Sequence, residues 1–426
     1  MTRTRGVARR RFGPGALALI VLLGITLHPG VSPTSAAYTD EAHARSVDLT
    51  AKVEIPFLTG LSPARSVDTG VGLGSDGNVY VWGRTNMSMA GSRGGGVFEP
   101  LTRIGGLPEG TMTSVSGQIY GFNALQSDGT VWGWGFNPDR DGTESQRPDS
   151  RAERLKIGSS WSGAGAPLTD IAVLATTEMA GAGIRSDGTV WAWGSSRYGG
   201  MNGTGASQVP GLPDPNANGA ERFPVALFGG YQTFWLLLNN GEVWYWGTSS
   251  SGIDGDPSST GAARLSGALA PWFQSRVAPG EPYVAQIQSG INMGHAILSS
   301  GRVLSWGSNS SRTGRPGTGS PTVPGLIPES SLSNIVSSRS GFTGTMFLDA
   351  SGTLHGYGAS DDYGNNPQTP TRIADRVTTY TAGQGFYLWR TDDGQFWGKG
   401  YNPAGAIGTP RNQALRPISL DMSVLG

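Results

Sequence analysis

The amino-acid sequence predicts an all-β fold, a seven-bladed β-propeller with four short antiparallel strands in each blade. Three observations predict it. The 426 residues include 68 Gly and 27 Pro, a content that indicates many tight turns. Thirteen Trp argue against disorder. One pattern recurs seven times along the chain, and repeats of this length are typical of propellers and solenoids.

Each repeat consists of an apolar strand, a turn that ends in Gly, a second strand, and an aromatic residue followed by Gly. In the first copy the turn and second strand extend from Asp76 to Gly83. Asp-Gly or Asn-Gly between apolar residues predicts a two-residue type I′ hairpin turn, because Gly tolerates a positive φ. Successive turns lie 42 to 60 residues apart, which leaves room for four strands in each repeat. The turn glycines are Gly77, Gly129, Gly188, Gly241, Gly301, Gly352 and Gly394.

The second strand of each repeat carries bulky residues on both faces. One face begins with Val79 in the first copy, and the other carries Tyr80 and Trp82. A strand that is apolar on both faces must be covered on both, as in a blade packed between two neighbours. We therefore interpret the last aromatic position as structural. It is held by Trp82, Trp134, Trp193, Trp246, Trp306 and Tyr357 in six copies and by Lys399 in the seventh.

The N-terminus reads as a secretory signal peptide. Five arginines precede the apolar run from Ala16 to Leu27, and small residues end at Ala37, where we expect cleavage. The run is shorter than the about 20 residues that span a bilayer, so no membrane attachment is expected after cleavage. The predicted organisation is a signal peptide at 1–37, an N-terminal segment at 38–64 that helps to close the ring, and the propeller at 65–426. Because the last repeat lacks a following first strand, we expect the two chain ends to complete one blade together.

Charge and composition limit the partners. Cleavage at Ala37 leaves 26 basic against 31 acidic residues, which argues against nucleic acid as a partner. Only three lysines stand beside 28 arginines, a skew typical of GC-rich bacterial genomes. A closed ring leaves few free strand edges, so a monomer is expected. The expected location is extracellular.

The repeat resembles that of the regulator of chromosome condensation family, whose signature places Ala-Leu before an Asp-Gly turn and Trp-Gly after it. Ala124-Leu125, Asp128-Gly129 and Trp134-Gly135 match it closely, and the similarity extends over roughly 65–420. The resemblance implies a seven-bladed propeller. The family's usual His before Ala-Leu is absent from all seven copies, so nucleotide exchange on a nuclear GTPase and chromatin binding are not expected. Secreted bacterial members that inhibit β-lactamases through aromatic-rich loops are similar too, and they imply a class of activity without a site.

Catalytic and metal-binding patterns are weak. The chain has no Cys, which excludes thiolate chemistry, and it shows no nucleophile elbow, metalloprotease motif or phosphate loop. His295 and His355 lie in different repeats, and we expect each to be a hydrogen-bonded structural residue. Carboxylates from different blades could still form a glycosidase or lyase site. Asp361-Asp362 and Asp392-Asp393 are the candidates, although solvated loop and hairpin turn are the favoured interpretations. No enzyme activity, cofactor or metal site is predicted.

Aromatic residues outside the repeat positions are the candidate binding residues, because loops on a rigid scaffold often carry Tyr and Trp contacts. Packing under their own loops is the alternative for each. The leading hypothesis is a secreted, non-enzymatic scaffold that binds a protein or glycan through loops on one rim. A polysaccharide-acting hydrolase or lyase is the alternative, and a cell-surface structural module ranks last. The candidates are Trp161, Tyr198, Trp272, Phe273, Tyr363 and Tyr401.

Overall fold

A computed structural model provides the structure of the chain. It describes residues 58–62, 69–84, 98–118, 121–135, 152–158, 165–195, 199–201, 203–217, 222–247, 263–264, 283–290, 293–307, 314–315, 324–341, 344–358, 369–383, 386–400 and 414–420. The signal-peptide prediction for 1–37 therefore lies outside the described residues. In the described part, no helix is long and apolar enough to cross a membrane.

The described residues form twenty-eight strands in seven four-stranded antiparallel sheets, which we call blades 1 to 7. Blades 1 to 3 contain β1 (Leu58–Ser62), β2 (Thr69–Gly74), β3 (Val79–Arg84) and β4 (Phe98–Arg103); β5 (Met112–Gly117), β6 (Gly121–Gln126), β7 (Val131–Gly135) and β8 (Glu153–Arg154); and β9 (Ile171–Thr176), β10 (Ala180–Arg185), β11 (Val190–Gly194) and β12 (Gly203–Gln208).

Blades 4 to 7 continue in the same order along the chain. They contain β13 (Pro224–Gly229), β14 (Thr233–Leu238), β15 (Val243–Gly247) and β16 (Ala263–Arg264); β17 (Val284–Gly290), β18 (Met293–Leu298), β19 (Val303–Gly307) and β20 (Gly325–Leu326); β21 (Ile335–Ser340), β22 (Gly344–Asp349), β23 (Leu354–Gly358) and β24 (Thr371–Ala374); and β25 (Val377–Ala382), β26 (Phe386–Thr391), β27 (Phe396–Gly400) and β28 (Ala414–Leu420).

The first strand of every blade lies at the centre of the molecule. These strands contact one another in the order β1, β5, β9, β13, β17, β21 and β25, and β25 returns to β1. Seven blades thus close a ring around the first strands, with the second, third and fourth strands at increasing radius. The predicted all-β propeller with four strands in each blade is confirmed.

The prediction that the two chain ends complete one blade together is wrong. Blade 1 contains only β1 to β4, and blade 7 contains only β25 to β28. β1 falls within the segment 38–64 and supplies the innermost strand of blade 1. Packing of β1 against β25 closes the ring, without a strand shared between the first and last blades. Each blade is therefore a continuous stretch of chain.

The hairpin turns differ from the predicted type I′. In blade 1 the Gly77 N–H donates to the Gly74 carbonyl at 3.0 Å, and the Gly74 N–H donates to the Asn78 carbonyl at 2.8 Å. Gly77 has a φ of 71°, whereas Asp76 has no positive φ. These are the features of a three-residue loop, a type I turn followed by a Gly bulge, and the other six hairpins show the same two bonds. A type I′ turn needs positive φ at two residues, and only the Gly supplies one.

The turn glycine also contacts the next blade. The Ile171 N–H, at the start of β9, donates to the Gly129 carbonyl at 3.0 Å. A Cβ on Gly129 would lie 2.9 Å from the Cα of Asp170, whose own φ is 63°. Gly is therefore required both by its φ and by the close approach of the following blade. The turn glycine of the repeat thus serves both the hairpin and the contact with the next blade.

Consecutive blades meet in apolar interfaces that we call seams and number by the two blades. On the third strand, alternate residues point to the preceding and the following blade. Trp246 on β15 faces blade 3, where it packs with Ala175 and with Phe234 of its own blade. The Phe234 and Trp246 rings stack with centroids 5.1 Å apart. The aromatic repeat positions are thus the core of the seams, as the sequence indicates.

Candidate functional site

Strand order gives the propeller two ends with different connections. We call the end that carries the turns between second and third strands the hairpin end. The chain also passes from one blade to the next at this end, because strands alternate in direction. The loop end carries the connections from first to second strands and from third to fourth strands. The third-to-fourth connections range from 195–202 in blade 3 to 136–152 in blade 2 and 308–324 in blade 5, and the connections between blades range from 375–376 to 265–283.

The six candidate binding residues lie outside the described residues, but chain order assigns each to one end. Tyr198, Tyr363 and Tyr401 fall in third-to-fourth connections and belong to the loop end. The other three, which are Trp161, Trp272 and Phe273, fall between blades and belong to the hairpin end.

The aromatic repeat residues are inaccessible to a partner. Trp134, Trp193, Trp246 and Trp306 have no exposed surface, Tyr357 is 1% exposed and Trp82 is 5% exposed. Trp246 also donates from Nε1 to the Gly199 carbonyl at 2.9 Å, which ties the third-to-fourth connection of blade 3 to blade 4. The binding surface must lie elsewhere.

At the hairpin end, ion pairs within the chain join the hairpins, strands and linkers. Arg222 and Glu242 lie 3.1 Å apart, and Glu242 also accepts from Trp244 Nε1 at 3.1 Å. Further ion pairs are Arg103–Glu109, Arg185–Asp170, Arg302–Glu329, Arg372–Asp375 and Arg376–Asp392. Six described arginines at this end are therefore paired with carboxylates of the same chain.

The first aromatic position of the third strand, held by Tyr80, Trp132 and Trp191 in blades 1 to 3, is hydrogen-bonded to its own hairpin. Tyr80 donates its hydroxyl proton to Asp76 at 2.7 Å. Burial, together with the Asp76 carboxylate, raises the pKa of Tyr80 to about 12. Trp132 Nε1 donates to Gln126 at 2.8 Å, and Trp191 Nε1 donates to Thr189 at 3.1 Å. These partly buried rings seal the outer part of the hairpin end.

A small cavity opens at the hairpin end of seam 3/4. It measures about 120 Å³, and Val190, Val209, Leu212, Pro215 and Leu238 supply much of its lining. Such a volume holds one side chain or a few water molecules. It is too small for a drug-sized ligand.

The carboxylate pair Asp392-Asp393 is part of a turn. Asp392 forms the ion pair with Arg376. Asp393 accepts from the Thr391 hydroxyl at 2.6 Å and from the Gln395 N–H at 3.1 Å, and these bonds hold the pKa of Asp393 below its usual value. Asp361-Asp362, the other candidate pair, lies outside the described residues. Among the residues that the structure describes, no group of three His, Asp or Glu side chains could hold a metal ion.

The two described histidines have different surroundings. His355 Nε2 lies 3.1 Å from Asp349 Oδ2, as expected for a structural residue. Burial would raise the pKa of Asp349, but bonds from Ser351, Thr353 and His355 outweigh it and lower the pKa.

His295 contradicts the expectation of a hydrogen-bonded histidine. Its side chain is fully buried in seam 5/6 with its ring edge-on to Phe347 at 5.0 Å, and neither ring nitrogen has a hydrogen-bond partner. Burial lowers the pKa of His295 to about 3, so the ring is neutral at physiological pH.

At the loop end, polar groups link neighbouring blades near the central strands. Ser116 and Thr176 share a hydrogen bond of 2.6 Å across seam 2/3. The Glu178 N–H donates to the Tyr231 carbonyl at 2.9 Å, which joins the first-to-second connections of blades 3 and 4. Glu178 itself is 5% exposed. The inner rim of the loop end is thus held by hydrogen bonds between blades, and the longer third-to-fourth connections lie at larger radius.

Two basic residues at the loop end were missed as site residues by sequence reasoning. Lys399 occupies the position of the repeat tryptophan in blade 7 and is partly buried, and this burial lowers its pKa. Arg339 lies on β21, the innermost strand of blade 6, and donates to the Ser338 carbonyl at 3.2 Å. The replacement of an aromatic by Lys in the repeat was the available sequence signal for Lys399. Nothing in the sequence links it to Arg339.

Known proteins that are similar to this chain support the propeller fold. No family model matches the chain. The E3 ubiquitin-protein ligase HERC2 of Homo sapiens and that of Mus musculus are each 27% identical over 244 residues, which cover 56% of this chain and 5% of either relative. The chain thus spans a small part of the length of the curated relatives it matches.

Solved structures extend the similarity to most of the chain. Yeast RCC1 (Prp20), in a complex with Kap60, has a TM-score of 0.64 at 17% identity and covers 88% of this chain and 91% of its own. Prp20p of Saccharomyces cerevisiae has a TM-score of 0.64 at 18% identity, with 86% and 88% covered. Human WBSCR16 has a TM-score of 0.60 at 15% identity, with 80% and 86% covered.

Seven four-stranded sheets closed around their first strands define the class, which is the seven-bladed β-propeller. Within that class its fold is similar to that of yeast RCC1 (Prp20).

Proposed function

We propose that this chain is a secreted, non-enzymatic scaffold that binds a protein partner through its loop end. The observation that carries the proposal is the contrast between the two ends. Ion pairs and three-residue turns occupy the hairpin end. The loop end carries a third-to-fourth connection of 8 to 17 residues in every blade of the ring, an arrangement common in binding surfaces.

The similar structures support a protein as the class of partner. Yeast RCC1 (Prp20) was solved bound to Kap60, and Prp20p is described with binding properties to Gsp1p and histones. Those partners belong to those proteins. For this chain the likeness supports only the use of an RCC1-like propeller as a protein-binding scaffold.

The test is surface plasmon resonance of the purified chain over immobilised secreted proteins, including class A β-lactamases, and over cell-wall polysaccharides. We expect submicromolar binding to a protein. The variant Y198A/Y363A/Y401A should weaken that binding at least about 30-fold, because interface aromatics commonly contribute about 2 kcal/mol or more. The matched control W161A/W272A/F273A removes three aromatics from the opposite end and should change the affinity less than about threefold.

Three outcomes would overturn the proposal. Loss of binding in the control variant alone would move the interface to the hairpin end. Binding to polysaccharide alone would replace the protein partner by a glycan. Release of reducing ends from that polysaccharide would favour the hydrolase or lyase.

Secretion and the oligomeric state are tested by two separate measurements. N-terminal sequencing of the chain from the medium of an expressing bacterium should find Tyr38 first, after cleavage at Ala37. Light scattering coupled to gel filtration should give the mass of one chain. An uncleaved chain retained in the cell would contradict secretion.

A further inference from the structure

Arg339 and Lys399 point into the same seam. Arg339 lies on the same face of β21 as Ser337, whose hydroxyl hydrogen-bonds the Tyr380 hydroxyl of blade 7 at 2.8 Å. Lys399 lies on the same face of β27 as Trp397, which packs against the core shared by blades 6 and 7. Both side chains are therefore directed into seam 6/7.

Both residues also lie near the loop end. Arg339 is the last residue but one of β21, and Lys399 is the last but one of β27. Both strands run toward the loop end, because each follows a connection at the hairpin end. The two cations thus occupy one seam at similar heights, with Arg339 on the inner strand and Lys399 two strands further out.

Neither cation has a carboxylate partner among the residues that the structure describes. The other arginines of the two blades that form ion pairs do so at the hairpin end, where Arg372 meets Asp375 and Arg376 meets Asp392. An unpaired cation that is partly withdrawn from water loses hydration without compensation. A carboxylate supplied from outside would restore that loss through charge-assisted hydrogen bonds.

The corresponding positions of seam 3/4 show that the fold does not require charge there. Ala175 stands in the place of Arg339 on the first strand of blade 3, and Trp246 stands in the place of Lys399. Both are buried in an apolar cluster. The backbone arrangement therefore does not require basic residues at these two positions, which Arg339 and Lys399 hold in seam 6/7.

We propose that the loop end of seam 6/7 binds an acidic segment of a protein partner, with Arg339 and Lys399 each holding a carboxylate. The proposal rests on the proposed function for the class of partner, and it adds the chemistry and the place of contact. Two cations in one seam, neither paired with a described carboxylate, suit a pair of side-chain carboxylates. They are too few for nucleic acid, whose binding takes many phosphate contacts.

The small number of lysines allows a direct test. The chain has only Lys52, Lys156 and Lys399, so reductive ¹³C-dimethylation gives three lysine NMR signals, which K52R, K156R and K399R assign. The probe is N-acetylated, C-amidated hexaglutamate, added to the full chain. We expect the Lys399 signal to shift and saturate, the Lys156 signal to stay in place, and 0.5 M salt to abolish the shift.

Variants measure the contribution of each cation to hexaglutamate binding. K399M and R339Q should each raise the dissociation constant about tenfold, the effect of one charge-assisted hydrogen bond. K399R keeps the charge and should stay within about threefold. K156M removes a lysine near the hairpin end as the matched control and should change the constant less than twofold. Thermal unfolding of each variant verifies that it is folded, and the wild-type titration tests the proposal even where a variant is not.

A Lys399 signal that does not respond to hexaglutamate overturns the proposal, as does equal weakening by K399M and K156M. Tighter binding of hexagalacturonate than of hexaglutamate would replace the acidic protein segment by an acidic glycan. Failure here is distinguishable from failure of the proposed function. If the seam is not the contact, a protein partner found by surface plasmon resonance still loses affinity in Y198A/Y363A/Y401A and keeps it in K399M.

Discussion

Seam 3/4 and seam 6/7 both contain an apolar cluster, but they differ in chemistry near the loop end. In seam 3/4, Phe234 and Trp246 stack, and both are fully buried. In seam 6/7 the same two positions hold Tyr387 and Lys399, which are cross-strand neighbours on β26 and β27. Tyr387 is buried, whereas Lys399 is only partly so.

The inner strands repeat the contrast. Val173 and Ala175 face seam 3/4 from blade 3 and pack with its apolar cluster. Ser337 and Arg339 take those places in blade 6. The difference teaches that strand pairing and the hairpin contacts maintain the propeller, while the chemistry of a single seam can change. The apolar clusters hold the blades together, and the proposed contact with a partner uses only the basic residues near the loop end of seam 6/7.

The largest expected effect comes from breaking the apolar seam. Trp246→Ala removes a fully buried ring and its bond to the Gly199 carbonyl, and it should lower the free energy of unfolding by about 3–5 kcal/mol. Lys399→Ala, at the equivalent position of seam 6/7, should cost less than about 1 kcal/mol. Urea unfolding followed by Trp fluorescence measures both. Equal losses would show that the two seams contribute alike.

Acid should weaken seam 5/6, which lies between the two seams compared. The pKa of His295 falls from 6.5 in the unfolded chain to about 3 in the folded one. Below pH 6.5 the unfolded chain binds a proton at His295 and the folded chain does not. The free energy of unfolding therefore decreases by about 1.4 kcal/mol for each unit by which the pH is lowered. The loss attributable to His295 reaches about 3 kcal/mol at pH 4.5. His295→Leu should remove that part of the pH dependence, and identical pH profiles for the two proteins would contradict it.

The hairpin glycines allow a smaller and more selective change. Gly301 and Gly394 both have positive φ, 77° and 85°. A Cβ on Gly301 would lie 2.9 Å from the Cα of Asn334 in the following linker, whereas a Cβ on Gly394 has no atom closer than 3.7 Å. Gly394→Ala should cost about 1 kcal/mol from backbone strain, and Gly301→Ala about 1–2 kcal/mol more. Thermal unfolding compares them, and equal costs would mean that the inter-blade contact is unimportant.

The smallest expected change in stability comes from replacing Lys399 by an apolar residue. Lys399→Met exchanges a partly buried cation for an apolar side chain of similar length, so unfolding should become harder by up to about 1 kcal/mol. Calorimetric unfolding temperature is the measure. A marked decrease in the unfolding temperature would indicate that Lys399 stabilises the fold. Partner binding would then not be needed to explain a lysine at this position.

Sequence reasoning reached the fold because its signals are local. The turn Gly, as at Gly129, recurs in all seven copies, and five residues later stands Trp in five copies, Tyr357 in the sixth and Lys399 in the seventh. The turn type was wrong because Asp-Gly fits a type I turn with a Gly bulge as well as a type I′ turn. Ring closure was wrong as well, since no local pattern shows which strand completes a blade.

The candidate site was predictable only in part. Tyr198 and Trp161 were selected together as loop aromatics, although one follows a third strand and the other follows a fourth strand in chain order. His295 was expected to be hydrogen-bonded, but the residues around it come from blade 6 and place Phe347 beside its ring. Such neighbours are distant in sequence, so composition and spacing carry no information about them.

The sequence by itself determined the number of blades, the position of each hairpin and the buried aromatic positions. These depend on backbone φ and on side-chain alternation within a few residues. Only the tertiary structure decided that Arg339 and Lys399, sixty residues apart, enter one seam, and that Gly129 contacts the linker of the next blade. The physical reason is that a seam forms between two blades, and its chemistry is fixed only when the closed ring brings those blades together.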